Sequence, residues 1–224
     1  MLEPDAAIAA LHEAMPDDQL MLAYADGDRA AFDVLYGRHE GALYRFVRRL
    51  LGVRLAAEVD EVYQETWFRI VAARESFSPQ GASWRTWAFT IAHNLAMDRL
   101  RVTGREVAFY AHDEEGDGAD AVRMFRQRLS RDGDSTTAHQ AAAPSAEEVA
   151  FWRAAGRRLL ACLDELPHEQ RAAFLLHNEE GFTVEAMART LEVNFETVRS
   201  RLRYGLKKLR SCMERYLQVL ERRA

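Results

Sequence analysis

Cysteine is scarce: the 224 residues hold two, Cys162 and Cys212. Two are too few for a disulfide framework, and a reducing cytoplasm is the setting they suggest. There are five prolines and twelve glycines, which leaves room for long helices. No apolar run approaches the ~18 residues that a spanning helix requires, so no membrane insertion is expected. The amino terminus, MLEPDAAIAALHEAMPDD, is acidic and lacks the basic start and cleavage pattern of a signal peptide. Signatures of catalysis are missing too: there is no glycine-rich phosphate loop, no HExxH and no nucleophile elbow. The seven histidines (12, 39, 93, 112, 139, 168 and 177) and the cysteines lack metal-ligand spacing. Neither an enzyme nor a cofactor or metal site is expected.

Apolar residues make up 48% of the chain, enough for packed cores, and the length suits one large or two small domains. The net charge is only −5, yet the charges are segregated. Residues 1–40 hold two arginines against nine acids, a net of −7. Residues 69–105 hold six arginines against Glu75 and Asp98, and 199–215 hold seven cations against Glu214. Two basic strips on an acidic body suit a protein that meets nucleic acid in one orientation, although a basic helix face is by itself often only solvated.

Apolar periodicity is helical throughout, and no segment alternates as a strand does. Helices are predicted over Asp28–Leu51 with Asp28 as cap, over Val59–Val71, and from Ser83 through Leu95 and beyond. Pro79 and Gly81 break the pattern between the last two. From 106 to 145 the chain is rich in Asp, Gly, Ser and Thr, carries eight acids against four arginines, and reads as a flexible acidic linker with a short helix near 121–129. Helices resume over Ala146–Leu166 and from Pro167 to Asn178. Thr183 then caps a short helix, Val184–Leu191, and Asn194 a longer one to about Leu217. A short helix, a tight turn and a longer basic helix form the helix-turn-helix pattern.

On the last helix, at about 100° per residue, Val198, Leu202, Leu206, Leu209 and Met213 fall within roughly 80° and form the expected buried stripe. Arg199, Arg203, Lys207 and Arg210 fall in the neighbouring stripe. Phe195, Glu196, Thr197 and Ser200 open the helix, where a recognition helix addresses base edges. Arginine there pairs bidentately with guanine, and a carboxylate accepts from a cytosine amino group. The competing reading is a bundle helix with a solvated cationic side.

At this point the residues resemble a known family. Glu165–Arg210 is similar to region 4 of the extracytoplasmic-function group of bacterial sigma-70 RNA polymerase sigma factors, through Leu166-Pro167, Arg171, Gly181, Met187-Ala188 and the string Thr197-Val198-Arg199-Ser200-Arg201-Leu202. The segment SWRTWAFTIAHNLAMDRLR resembles regions 2.3 and 2.4, with Trp87, Ile91-Ala92, Asn94, Asp98 and Arg101 in register, and EVDEVYQETWFRIVAARESF resembles region 2.2. Glu192 stands where the family's turn carries glycine, and Asn194-Phe195-Glu196 replaces its usual small residues. A −35 preference peculiar to this chain is therefore expected.

The resemblance implies an all-α fold of two small helical domains. It divides the chain into an extension (1–16), a region 2 domain (17–105), the linker (106–145) and a region 4 domain (146–224). It implies core RNA polymerase as partner, through the β′ clamp helices and the β flap, together with promoter DNA and, in many relatives, an anti-sigma protein, all in the cytoplasm. By the same resemblance Glu58, Asp60, Glu61, Gln64 and Glu65 grip polymerase. Phe77, Trp84, Arg85, Asn94, Arg101 and Arg105 meet the −10 element. Phe195, Glu196, Thr197, Arg199, Ser200, Arg201, Arg203 and Lys207 meet the −35 element. Trp87 shares a face with Ile91 and Leu95 and reads as core. Asp98 is expected to pair with Arg99 or Arg101. Tyr63 and Thr66 are hydroxyls where a phosphate would add about −1.5 to −2 charge. The rival readings are a regulator that binds duplex DNA without polymerase, and an interaction protein with no DNA role.

Overall fold

The computed structural model describes residues 10–102 and 146–221. They are helical with no strand among them, as the periodicity predicts. The linker, its predicted short helix and Arg105 lie outside the described residues. Contacts separate two compact units, one of 10–102 with 182–195 and one of 146–181 with 196–221. No helix among the described residues is long and apolar enough to cross a membrane.

The first unit is built from α1 (Asp17–Ala25), α2 (Arg29–Leu51), α3 (Val59–Ala72) and α4 (Trp84–Val102), with 3₁₀ turns at Val53–Glu58 and Arg74–Ser76. Asp28 caps α2, accepting from the backbone N–H of Ala30 and Ala31. This satisfies donors that the first helical turn leaves open. At the other end Gly52 takes φ +70° and returns its N–H to the Arg48 carbonyl at 3.0 Å, a left-handed cap that suits glycine. Ala31, Leu35, Leu43, Phe46, Val47 and Leu50 line the buried side of α2. They meet the fully buried Leu20, Met21, Ile70, Trp84 and Phe89 of the other helices in one core.

Trp84 is the keystone of that core, and this corrects its placement at the −10 surface. Its side chain is 0% exposed, its ring lies 4.5 Å from that of His39, and its backbone N–H donates to Asp18 Oδ1 at 2.5 Å. Asp17, next along α1, accepts from Arg38 Nη1 at 2.9 Å and sits 2.8 Å from His39 Nε2. The His39 hydrogen bond holds the Asp17 carboxyl below its ordinary value against the opposing effect of burial. Arg38 also donates to the carbonyls of His12, Glu13 and Met15. The end of the amino-terminal extension, residues 12–16, is thereby fastened to the core together with the start of α1.

In the second unit α5 (Ala146–Asp164), α6 (His168–Asn178) and α8 (Phe195–Glu221) surround Leu163, Leu166, Leu175, Leu176, Val198 and Leu209. The Leu-Pro-x-x-x-Arg motif has a physical explanation here. Pro167 opens α6, and the buried Arg171 reaches back to the carbonyls of Asp164 (2.7 Å) and Leu166 (3.3 Å) and to Asp164 Oδ1 (3.4 Å). It satisfies carbonyls that the end of α5 leaves open. Cys162 and Cys212 are joined as a disulfide between α5 and α8, at 1% and 2% exposure. This corrects the expectation of two reduced thiols. The bond replaces a sulfhydryl contact with a covalent tie across this small core.

The buried stripe of α8 is also rotated from its expected position. Val198, Leu202, Gly205, Leu209 and Cys212 are buried, whereas Leu206 and Met213 are only half-buried. Gly205 faces α6 closely: a Cβ there would stand 3.4 Å from the Gln170 carbonyl oxygen. There α8 brings its backbone close to α6, while Cys212 is tied to α5.

Candidate functional site

α7 (Val184–Thr190) is capped by Thr183, whose Oγ1 accepts from the Ala186 N–H at 3.2 Å. The turn that follows passes through Glu192 at φ +52°. In the family this position is glycine because a left-handed residue is needed. This chain accepts the strain of a β-carbon there, and α8 then begins at Phe195.

Rotation of α8 decides which cations face outward. Glu196, Arg199 and Lys207 are exposed, with Ser200 and Arg203 half-buried between them, a continuous stripe at three- and four-residue spacing. Thr197 is half-buried at its edge. Glu196 lies 3.6 Å from Arg199 with both side chains mostly in water, so the pair orients more than it stabilises. Arg203 packs its guanidinium over the Tyr204 ring at 5.0 Å, and its buried Nε has no acceptor among the described residues. Arg201 departs from expectation. It falls about 60° from Val198 on the side away from Arg199, half-buried, with its charge acting on Glu169. Glu169 is held at about 2, first by the His168 ring 3.3 Å away and further by Arg201. Arg201 therefore belongs to the α6–α8 packing and not to the outward stripe.

Around α4 the structure reverses the expected exposure of the aromatics. Phe77 and Trp84 are buried, at 6% and 0% exposure, and offer no face to a base. Trp87 is half-buried, stands 5.4 Å from Phe77, and lies on an outward line with Asn94, Asp98 and Arg101. Core packing claims Trp84 because it lies beside Ala88 and Ala92, where α4 meets α2 and α3. Apolar residues nearly encircle this helix, so the pattern alone does not reveal which edge is wet. Asn94 is exposed, its Oδ1 3.2 Å from His93 Nδ1. Arg101 donates to Asp98 at 3.1 Å on the surface, which identifies Asp98's partner. Arg85 is half-buried with its guanidinium 5.7 Å from the centre of the Phe89 ring.

The acidic face of α3 is partly compensated from within. Arg99 bonds Glu58 at 3.1 Å and also bonds Glu61, tying α4 to the start of α3. Asp60 accepts from the Tyr44 hydroxyl at 3.2 Å, and Glu65 pairs with Arg69 at 3.0 Å. Gln64 is exposed, and beside it Phe68 is 68% exposed. A large apolar side chain among acids is the feature that charge counting overlooked; the residue was legible as an aromatic off the Val59–Val62–Ile70 stripe. Thr66 is fully buried and donates to the Val62 carbonyl at 2.7 Å, so it is closed to a kinase. Burial and the Tyr36 hydroxyl push the Tyr63 phenol up.

The chain matches the Sigma-70 region 2 model over residues 35–106 and the Sigma-70 region 4 model over 156–209. It is 32% identical over 195 residues to the ECF RNA polymerase sigma factor SigE of Mycolicibacterium smegmatis, covering 86% of this chain and 66% of that one. This chain is an extracytoplasmic-function (ECF) factor of the sigma-70 family. The ECF factor SigK of Mycobacterium sp. strain KMS is 29% identical over 199 residues, covering 88% of this sigma factor and 90% of its relative. The fold of this sigma factor resembles that in the solved structure of CnrH in complex with the cytosolic domain of CnrY, with a TM-score of 0.57 at 22% identity over 88% of this chain and 97% of that one. Region 2 thus spans most of α2 through α4, and region 4 spans most of α5 through α8. The family's activity is promoter-specific initiation of transcription with RNA polymerase.

Proposed function

We propose that this ECF factor binds core RNA polymerase through the α3 face, engages the −10 element along the outward line of α4, and reads the −35 element with the first turns of α8. The observation that carries the reading is the cationic stripe of α8. Arg199, Arg203 and Lys207 lie along one line on a helix whose opposite side is fully committed to packing. A major groove admits one helix in this way, with its first residues on base edges and later cations on phosphates. Arg203 Nε, without an acceptor among the described residues, fits a donor to a phosphate or base. On α4, Trp87 takes the base-stacking role and Asn94 and Arg101 the polar contacts; base stacking on an aromatic is worth about 1–3 kcal/mol. On α3, Gln64 and Phe68 supply an apolar and amide centre, and the carboxylates around them supply steering toward a basic partner.

The test is run-off transcription with purified core polymerase and this protein on promoters found by sequencing transcripts after overproduction. Initiation at defined starts that is lost with Arg199→Glu, and separately with Phe68→Asp, supports the reading. A shift of duplex DNA without polymerase and no initiation would favour a stand-alone regulator. Neither activity would leave an interaction protein. Regulation by an anti-sigma partner belongs to the same proposal, supported by the likeness to CnrH, which was solved with the cytosolic domain of CnrY.

A further inference from the structure

The first residue of α8 is an aromatic at a position where charge and hydrogen bonding would be expected. Phe195 is 41% exposed. At about 100° per residue it lies about 60° from the buried Val198 and about 40° from Arg199, one helical turn ahead of that arginine on the same side. Its ring therefore borders the core and enters the outward stripe. Its neighbours there, Glu196 and Arg199, have side chains 77% and 63% exposed. Exposed apolar side chains are common and need no ligand. This one stands at the place where a recognition helix addresses base edges.

A phenyl ring neither donates nor accepts a hydrogen bond, and the bases of an intact duplex are stacked and closed to it. Across the four base pairs the major groove presents donors, acceptors and one apolar group, the C5-methyl of thymine. Resting on the reading of α8 as the −35 helix, we infer that Phe195 is a specificity-determining residue that recognises a thymine in the −35 element through its methyl group. The thymine lies adjacent to the base pair addressed by Arg199, on either strand. A cytosine or guanine at that position leaves the ring against a polar edge, so the contact both favours thymine and disfavours the alternatives.

The experiment uses holoenzyme reconstituted from core polymerase and the full chain. Promoter fragments randomised across the −35 element are first selected by binding, and each thymine of the enriched sequence is then replaced by deoxyuridine. That replacement removes the methyl and keeps the pairing. At one thymine the wild-type holoenzyme is expected to bind about fourfold more weakly to the uracil duplex, the effect of one methyl withdrawn from apolar contact. Phe195→Ala is expected to bind thymine and uracil duplexes alike, and Phe195→Leu to retain part of the preference. The readout is the thymine-to-uracil ratio within each holoenzyme, which a folding defect that weakens both duplexes equally leaves unchanged, and Phe195→Leu checks it with a variant that keeps an apolar side chain. Indifference of wild type to uracil at every position, or an enriched element without thymine, overturns the inference. If the enriched sequence is nonetheless lost with Arg199→Ala, α8 still reads the −35 element and only the Phe195 assignment fails. If no sequence is enriched at all, the parent reading fails with it.

Discussion

Breaking the Cys162–Cys212 bond tests how the second unit is held together. The bond spans a sequence separation of 50 residues, from α5 to the second half of α8. On the loop-entropy relation a tie of that length removes about 4 kcal/mol of freedom from the denatured chain, and measured values are about 2–4 kcal/mol. For a unit of this size each kcal/mol moves the midpoint by about 4–8 °C. Reduction is therefore expected to lower the melting temperature of the second unit by about 8–30 °C and to leave the first unit unchanged. Both sulfurs are almost fully buried, so an attacking thiolate reaches them only after local opening. Reduction should accordingly be slow at 25 °C and fast near the transition. Circular dichroism melts of the full chain, with and without a phosphine reductant, read the shift. The Cys162→Ala/Cys212→Ala double variant should melt near the reduced wild type and ignore the reductant. A thiol count of two on native, never-reduced protein, or melts that coincide with and without reductant, would refute the reasoning.

Three further outcomes follow from the packing. Trp84→Ala empties the centre of the first unit and should cost about 3–5 kcal/mol in urea unfolding, whereas Trp87→Ala should melt within about 1 kcal/mol of wild type and lose promoter opening; equal stability losses would contradict the assigned roles. Gly205→Val places side-chain atoms against the Gln170 carbonyl and should cost about 1–3 kcal/mol, a loss that an unchanged urea midpoint would disprove. The Glu169 carboxyl titrates at about 2 in the folded chain against its ordinary 4.5, so its pairing stabilises fully above pH 4.5 and is lost as pH falls toward 2. Glu169→Gln should flatten that acid limb, and an acid limb identical to wild type would remove Glu169 as its source.

Local signals were legible where the chemistry is local. Asp28, Ser83 and Thr183 mark helix starts because a cap is read within three residues, and each lies at its predicted place: Asp28 and Thr183 accept the expected N–H bonds, and Ser83 Oγ accepts from Thr86 at 3.3 Å. The stitching of α1 was not legible. Asp17 finds Arg38 and His39 more than twenty residues away, and Asp18 finds the Trp84 N–H at a separation of 66. Nothing in a short window encodes such a contact. The exchange between Trp84 and Trp87 has a different cause. Both are compatible with an apolar arc that covers most of α4, and the choice is made by the helices packed against it. A usable signal did exist for α8. Gly205 in the middle of a strong helix is costly unless a backbone must come close, and Cys212 lies two turns further along the same edge.

That edge connects packing to function. A helix with four cations on one side and a leucine stripe on the other permits more than one rotation about its axis, and each rotation presents a different set of arginines. With Leu206 and Met213 at the centre of the buried face, the outward stripe would turn with them and Arg201 would come closer to the surface. Gly205 and the Cys162–Cys212 bond instead draw the opposite edge inward. Arg201 is thereby placed beside Glu169, and Arg203 takes the outward line with Arg199 and Lys207. The cations available to the proposed −35 contact are thus chosen by how the far side of the helix packs, at Gly205 and Cys212, and not by the basic residues themselves.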